Sequence, residues 1–210
     1  LHWVLHYHSD YYRYVKQQQE KQWLEHKFVA PKKRSVGIMG LGTIGKRVGE
    51  ILSDQGFSVV GWGASDKHLT GRIEYFYGKD QMTGFLNKSE ILINILPLTE
   101  STNNLIKANE LHQLPEGALV INIGRGFIIN QSDLLAALES GHIGAAVLDV
   151  FDVEPLPLDN PLWSHPNVTI TPHIAGQSDG ETGAVSMVEN IRRIESGEAP
   201  FPLYDPVQGY

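Results

Sequence analysis

An α/β fold built on a doubly wound parallel sheet is the architecture this sequence predicts, and three observations carry it. Short apolar runs alternate with helical patterns along most of the chain, as parallel strands joined by crossover helices require. One such run, Ser35 to Met39, leads into Gly40-Leu41-Gly42-Thr43-Ile44-Gly45, a glycine turn that opens a helix. Another, Ile91 to Leu96, is apolar at all but one position and is stopped by Pro97, the pattern of a strand buried on both faces.

Taken in order, Leu1 to Val15 reads as one helix crowded with Trp3, Tyr7, Tyr11 and Tyr14. So many aromatics need a cover, either the body of the chain or a second copy of it. His2 and His6 stand four apart without a third ligand, so no metal is assigned. Lys32-Lys33-Arg34 reads as a solvated linker before the first strand. Val48, Ile51 and Leu52 give Lys46 to Asp54 a helical apolar stripe, Gly56 ends that helix, and Phe57 to Trp62 forms the next strand. A short helix over Asn109 to Leu114 precedes a strand over Ala118 to Ile123. Ser132 is placed to cap a helix from Asp133 to Glu139, with Gly141 near its end. Gly144 to Val150 and Val168 to Thr171 read as the last strands. The tail from Glu181 to Glu195 is a helix with Val185, Val188, Ile191 and Ile194, followed by an extended arm punctuated by Pro200, Pro202 and Pro206.

At 210 residues the chain can bury a real core, and its 41% hydrophobic content is that of an ordinary globular protein. A formal charge of -7 argues against nucleic-acid and anionic-membrane partners, which call for a basic face. The absence of cysteine excludes disulfides, a thiolate nucleophile and cysteine-bound metal, and a cytoplasmic location is expected. No segment has the uninterrupted apolar length of a membrane span.

The chemistry concentrates in loops at strand ends, where open parallel sheets collect ligands. In the glycine turn, Gly40 permits the tight bend, Gly42 admits a pyrophosphate to the backbone, and Gly45 lets helix and strand pack closely. Asn122-Ile123-Gly124-Arg125-Gly126 sets an arginine fork, suited to a carboxylate, between two glycines that leave room for a ligand. Asp149-Val150-Phe151-Asp152-Val153-Glu154-Pro155 and Thr171-Pro172-His173-Ile174-Ala175-Gly176 follow two later strands.

With these motifs in this order, the stretch from Arg34 to Gly176 resembles the D-isomer-specific 2-hydroxyacid dehydrogenase family, whose nucleotide domain is a Rossmann-type fold. Leu156-Pro157, Pro161-Leu162-Trp163 and the terminal Gly209-Tyr210 most resemble its glyoxylate and hydroxypyruvate reductases. The resemblance implies a catalytic trio. Arg125 would hold the substrate carboxylate and polarise its 2-oxo group, His173 would donate a proton, and Glu154 would orient His173 and favour its imidazolium. It also implies nicotinamide-cofactor contacts from Gly40, Gly42, Thr43, Ile44 and Gly45. Leu96 and Pro97 would flank the adenosine side and Thr102 would reach a phosphate. Ile123, Gly124, Arg125, His173 and Ala175 would lie near the nicotinamide, with Asp149 on its carboxamide. Asn94 and Asn122 are expected to close backbone bonds at strand ends.

NAD-selective sites place an acid at the end of the second strand, and a count of about 20 residues on from the turn reaches Asp66. The strand itself ends at Trp62, so Gly63 stands where the acid belongs. Ser65 and Lys67 can hold a 2'-phosphate, and NADP is favoured over NAD. Members of the family carry an N-terminal substrate domain of roughly 100 residues. This chain is therefore expected to be part of a longer protein. Residues 1–31 would be the crossing and dimerisation helix, 32–178 the dinucleotide-binding domain, and 179–210 the C-terminal helix and return tail. The implied function is reduction of a small 2-oxo acid by a homodimer. The alternatives are phosphoglycerate dehydrogenase or another hydroxyacid enzyme, a nucleotide-sensing module without catalysis, and a methyltransferase. The last has no use for Arg125, Glu154 and His173.

Overall fold

The computed structural model describes residues 1–66, 71–177 and 180–203. In chain order it places α1 (His2–His8), α2 (Tyr11–Gln19), β1 (Ser35–Met39), α3 (Thr43–Asp54), β2 (Ser58–Gly63), β3 (Glu74–Tyr77), α4 (Met82–Leu86), β4 (Ile91–Asn94), α5 (Ala108–His112), β5 (Ala118–Asn122), α6 (Gln131–Glu139), β6 (Ile143–Leu148), β7 (Val168–Ile170) and α7 (Gly180–Glu195). The seven strands form one sheet in the order β3-β2-β1-β4-β5-β6-β7, and every pairing is parallel. This is the doubly wound sheet that the strand and helix alternation predicts.

Alternating side chains serve opposite faces, as the pleat dictates. Met39, Leu92 and Val120 pack beneath α4, α5 and α6 with Phe85, Leu111, Leu134 and Leu138. Ile38, Ile93 and Ile121 face the other way into a second cluster with Leu52 of α3 and Val4 of α1. The order in which strands are added reverses between β1 and β4, since β2 and β3 lie on one side and β4 to β7 on the other. A crevice therefore opens outside the carboxyl ends of β1 and β4.

Several local expectations are corrected. The N-terminal helix is two, because Asp10 adopts a left-handed conformation (φ 53) that breaks the ladder between α1 and α2. Asn130, not Ser132, caps α6: its side chain accepts from the Asp133 amide at 3.0 Å, and Ser132 Oγ donates to that same oxygen at 2.7 Å. β3 and α4 were not anticipated, being short and, in β3, half-exposed at the sheet edge. α3 begins at Thr43, three residues before the apolar stripe suggested, and β6 stops at Leu148, which releases Asp149 into the following loop.

The aromatic N-terminus divides its surface. Val4 is buried at 1% exposure, and Trp3 and Tyr7 pack against the sheet, with the Tyr7 hydroxyl facing Thr169 of β7. Tyr11, Trp23, Leu24 and Phe28 stay exposed, as do Val185, Val188, Ile191 and Ile194 of α7. His68, Gly209 and Tyr210 lie outside the described residues.

Candidate active site at the carboxyl end of the sheet

A cleft of about 1060 Å³ occupies the crevice, ample for a dinucleotide. Its floor is the turn after β1. Gly40 (φ 101) makes the bend, and a Cβ on Gly45 would stand 1.9 Å from Gly40 O, so helix and turn touch through main chain. A Cβ on Gly42 would meet nothing within 4 Å. That residue has an ordinary extended backbone (φ -77), so the fold itself does not require glycine there. The space above Gly42 is where a diphosphate fits, facing the uncapped amides of the first turn of α3. Thr43 and Ile44 continue this wall.

Leu96, Pro97 and Thr102 form the opposite wall together with Thr99, Glu100 and Ser101, which sequence reasoning missed. Thr102 Oγ1 donates to Pro97 O and accepts from the Thr99 amide, both at 2.7 Å, so it closes this loop on itself. Ser65 reaches the cleft with Gly63 and Ala64, while Lys67 lies outside the described residues. Ile123, Gly124, Arg125 and Ala175 line the far end.

Asn122 ends β5 and sends the chain into the Arg125 loop. The arginine is exposed, and its Nη1 donates to Gly124 O at 2.7 Å. The flanking glycines do not leave room for a ligand as expected. A Cβ on Gly126 would lie 2.0 Å from Phe151 C and one on Gly124 2.7 Å from Leu96 O, so both are filled by neighbouring backbone.

The Gly126 contact seats the Arg125 loop on the segment that bears Glu154. There Glu154 Oε1 accepts from the Phe151 amide at 2.9 Å and Oε2 accepts from His173 Nδ1 at 2.7 Å. Partial burial works against ionisation of Glu154, but the His173 and Phe151 hydrogen bonds and the imidazolium charge outweigh it and hold the carboxyl below its ordinary range. Bonding at Nδ1 leaves His173 Nε2 as the nitrogen free for a substrate.

Asp149 bonds the loop that follows β7. Its carboxylate is 2% exposed and does not line the cleft. Oδ1 accepts from Thr171 Oγ1 and the Ile174 amide, Oδ2 accepts from the Ala175 amide, and its carbonyl accepts from the His173 amide. These bonds hold His173 in a left-handed conformation (φ 54) that a side chain seldom adopts. Asp149 thus builds the loop that presents His173. Only a partner more than 20 residues away reveals this, and no local sequence signal does.

Residues 1–175 match the family description "D-isomer specific 2-hydroxyacid dehydrogenase, NAD binding domain". Glyoxylate/hydroxypyruvate reductase A of Yersinia enterocolitica is 40% identical over 207 residues, covering 99% of this chain and 66% of that protein. The chain spans 56% to 66% of the length of the curated relatives it matches first. Among solved structures, a D-isomer specific 2-hydroxyacid dehydrogenase from Xanthobacter autotrophicus Py2 in complex with NADPH and MES superposes with a TM-score of 0.95 at 42% identity, covering 99% of this chain and 85% of that one. The NADPH-dependent glyoxylate/hydroxypyruvate reductase of Sinorhizobium meliloti, in complex with NADP and sulfate, gives 0.93 at 32% identity, covering 99% of this chain and 66% of that one.

Proposed function

We propose that this chain, which belongs to the D-isomer specific 2-hydroxyacid dehydrogenase family, carries the nucleotide and proton-transfer machinery of a reductase for a small 2-oxo acid, glyoxylate or hydroxypyruvate. The observation that carries the reading is the Glu154–His173 pair at 2.7 Å on loops next to that of Arg125, with Arg125 and Ala175 of these loops lining one end of a cleft ample for a dinucleotide. Arg125 binds the substrate carboxylate as a fork and draws electron density from the 2-oxo oxygen. His173 holds the proton at Nε2 and delivers it to that oxygen, leaving the hydroxyl of a D-2-hydroxy acid. Glu154 keeps the ring turned and supports the imidazolium until the proton leaves. The chemistry a bound NADPH supplies is hydride donation to C2.

NADP is favoured over NAD by the end of β2. An acid is missing there, and a Cβ on Gly63 would stand 2.4 Å from the Tyr75 hydroxyl, which is itself donated to Ser65 O at 2.7 Å. A carboxylate at that position would displace Tyr75, whereas the Ser65 segment borders the cleft. We also propose a homodimer using the exposed aromatics of the N-terminal segment, a cytoplasmic location, and the division into residues 1–31, 32–178 and 179–210. Loss of NADPH absorbance on adding glyoxylate or hydroxypyruvate to the purified chain, or to the longer protein that contains it, tests the reading. Tight NADPH binding with no turnover of either acid by the longer protein would refute it and favour a sensing module.

A further inference from the structure

We propose that Asn94 and Asn122 are positioning residues that tie the seat of Arg125 to the nucleotide side of the cleft. The two lie opposite each other in the β4–β5 register, with 0% and 2% of their surface exposed. Asn94 Nδ2 donates to Asn122 Oδ1 at 2.8 Å. The orientation of both amides is dictated by backbone donors: Asn94 Oδ1 accepts from the Leu96 amide and Asn122 Oδ1 from the Gly124 amide, each at 3.3 Å. Asn122 Nδ2 then donates to Arg125 O at 3.3 Å.

Closing the strand ends needs only the bonds each amide makes to its own loop. The amide-to-amide bond is additional, and it joins the loop of Leu96 and Pro97 to the loop of Gly124 and Arg125. Backbone crowding reinforces the junction, for a Cβ on Gly124 would fall 2.7 Å from Leu96 O and 3.0 Å from Asn94 Nδ2. Arg125 leans on this platform in turn, through its Nη1 bond to Gly124 O. Fully buried, the pair has no water to take over a lost bond, so cutting it on one loop must be felt on the other. The two asparagines thereby let the nucleotide wall set where the guanidinium stands before substrate arrives.

The inference rests on Arg125 holding the substrate carboxylate, and its test has a readout independent of turnover. In Asn94→Ala, amide hydrogen exchange of residues 123–126 should quicken by about tenfold while β6 keeps its protection, although the substitution lies on the other loop. In the same variant KM for the 2-oxo acid should rise about tenfold with kcat changed less than about threefold. Because the two residues share one bond, Asn94→Ala with Asn122→Ala should raise KM no further than the worse single variant. Asn94→Ser serves if the alanine variant fails to fold. Unchanged exchange at 123–126 in a folded variant, or effects on KM that multiply in the double variant, would overturn the inference. Faster exchange in a protein that reduces no 2-oxo acid would support the positioning and count against the reductase reading.

Discussion

Gly42→Ala separates what the fold requires from what the ligand requires. The new methyl would meet nothing within 4 Å, and the backbone at φ -77 accepts alanine. Two small terms then oppose each other. Alanine narrows the unfolded ensemble, a gain of about 0.4–1 kcal/mol, and it is a poorer N-cap than glycine, a loss of roughly the same size. The net change should lie within about 1 kcal/mol of zero, a Tm shift of no more than about 4 °C for a chain of this length. Affinity should behave otherwise, because the methyl occupies the approach of the diphosphate. NADPH binding should weaken at least about tenfold, roughly 1.4 kcal/mol. Gly45→Ala provides the contrast: its Cβ at 1.9 Å from Gly40 O can be relieved only by moving backbone. That should cost about 1–3 kcal/mol and lower Tm by several degrees, with binding lost as the turn shifts. Thermal unfolding and titration of nucleotide by fluorescence measure both quantities on the same samples. A Gly42→Ala protein that binds NADPH within twofold of the unmodified chain would refute the placement of the diphosphate, and a large fall in its Tm would refute the claim that the fold tolerates a side chain there.

Glu154→Gln should lower kcat by about 100-fold, because a neutral amide with one acceptor oxygen cannot serve both the Phe151 amide and the His173 ring and no longer supports the charge of that ring. The depressed carboxyl of Glu154 has a directional consequence for pH. Its bonds to His173 and to the Phe151 amide are fully present above the ordinary carboxylate range and are lost only as pH falls through the lower, folded value, so the Phe151 amide should keep its protection into mildly acidic solution. Glu154→Gln, with one acceptor oxygen for two donors, should weaken that protection already at neutral pH, as hydrogen exchange will record. Arg125→Lys keeps the charge but not the fork, and KM for the 2-oxo acid should rise at least about tenfold with NADPH binding little changed. Asn130→Ala removes the cap of α6 and should cost about 1 kcal/mol, a fall of about 2–4 °C in Tm with no effect on nucleotide affinity.

How much of this was legible in the sequence depended on the range of the interaction involved. The central strands and the glycine turn could be read because apolar runs and glycine spacing are local signals, and β1, β2, β4 and β5 lie close to where they were expected. β3 could not, since four residues at a sheet edge carry too little apolar pattern to stand out from a loop. The α6 cap was misread because Asn130 and Ser132 are both competent cap residues, and only the 3.0 Å bond to the Asp133 amide separates them. The family resemblance pointed to Arg125, Glu154 and His173, but no local signal foretold the bonds that Asp149 makes to the loop of His173. A carboxylate one residue past a strand can face the ligand or its own neighbouring loop, and the choice is made by the Thr171, Ile174 and Ala175 donors.

The same range argument explains how three loops with exposed side chains can hold a fixed geometry. Arg125, Glu154 and His173 are all exposed, so side-chain burial does not fix them. Their backbones are fixed instead. Gly124 abuts Leu96 O, Gly126 abuts Phe151, the Phe151 amide binds Glu154, and Glu154 binds His173, whose own amide is held by the buried Asp149. Each link is a main-chain contact or a hydrogen bond, and all but the Phe151–Glu154 bond join different strand-end loops of the parallel sheet. Glycine on either side of the arginine is then a requirement for bringing backbones together. Open space lies instead above Gly42, where an added Cβ would meet nothing within 4 Å. Such an arrangement gains its precision from the sheet beneath it and leaves the side chains of Arg125, Glu154 and His173 exposed, as the proposed proton transfer to a substrate requires.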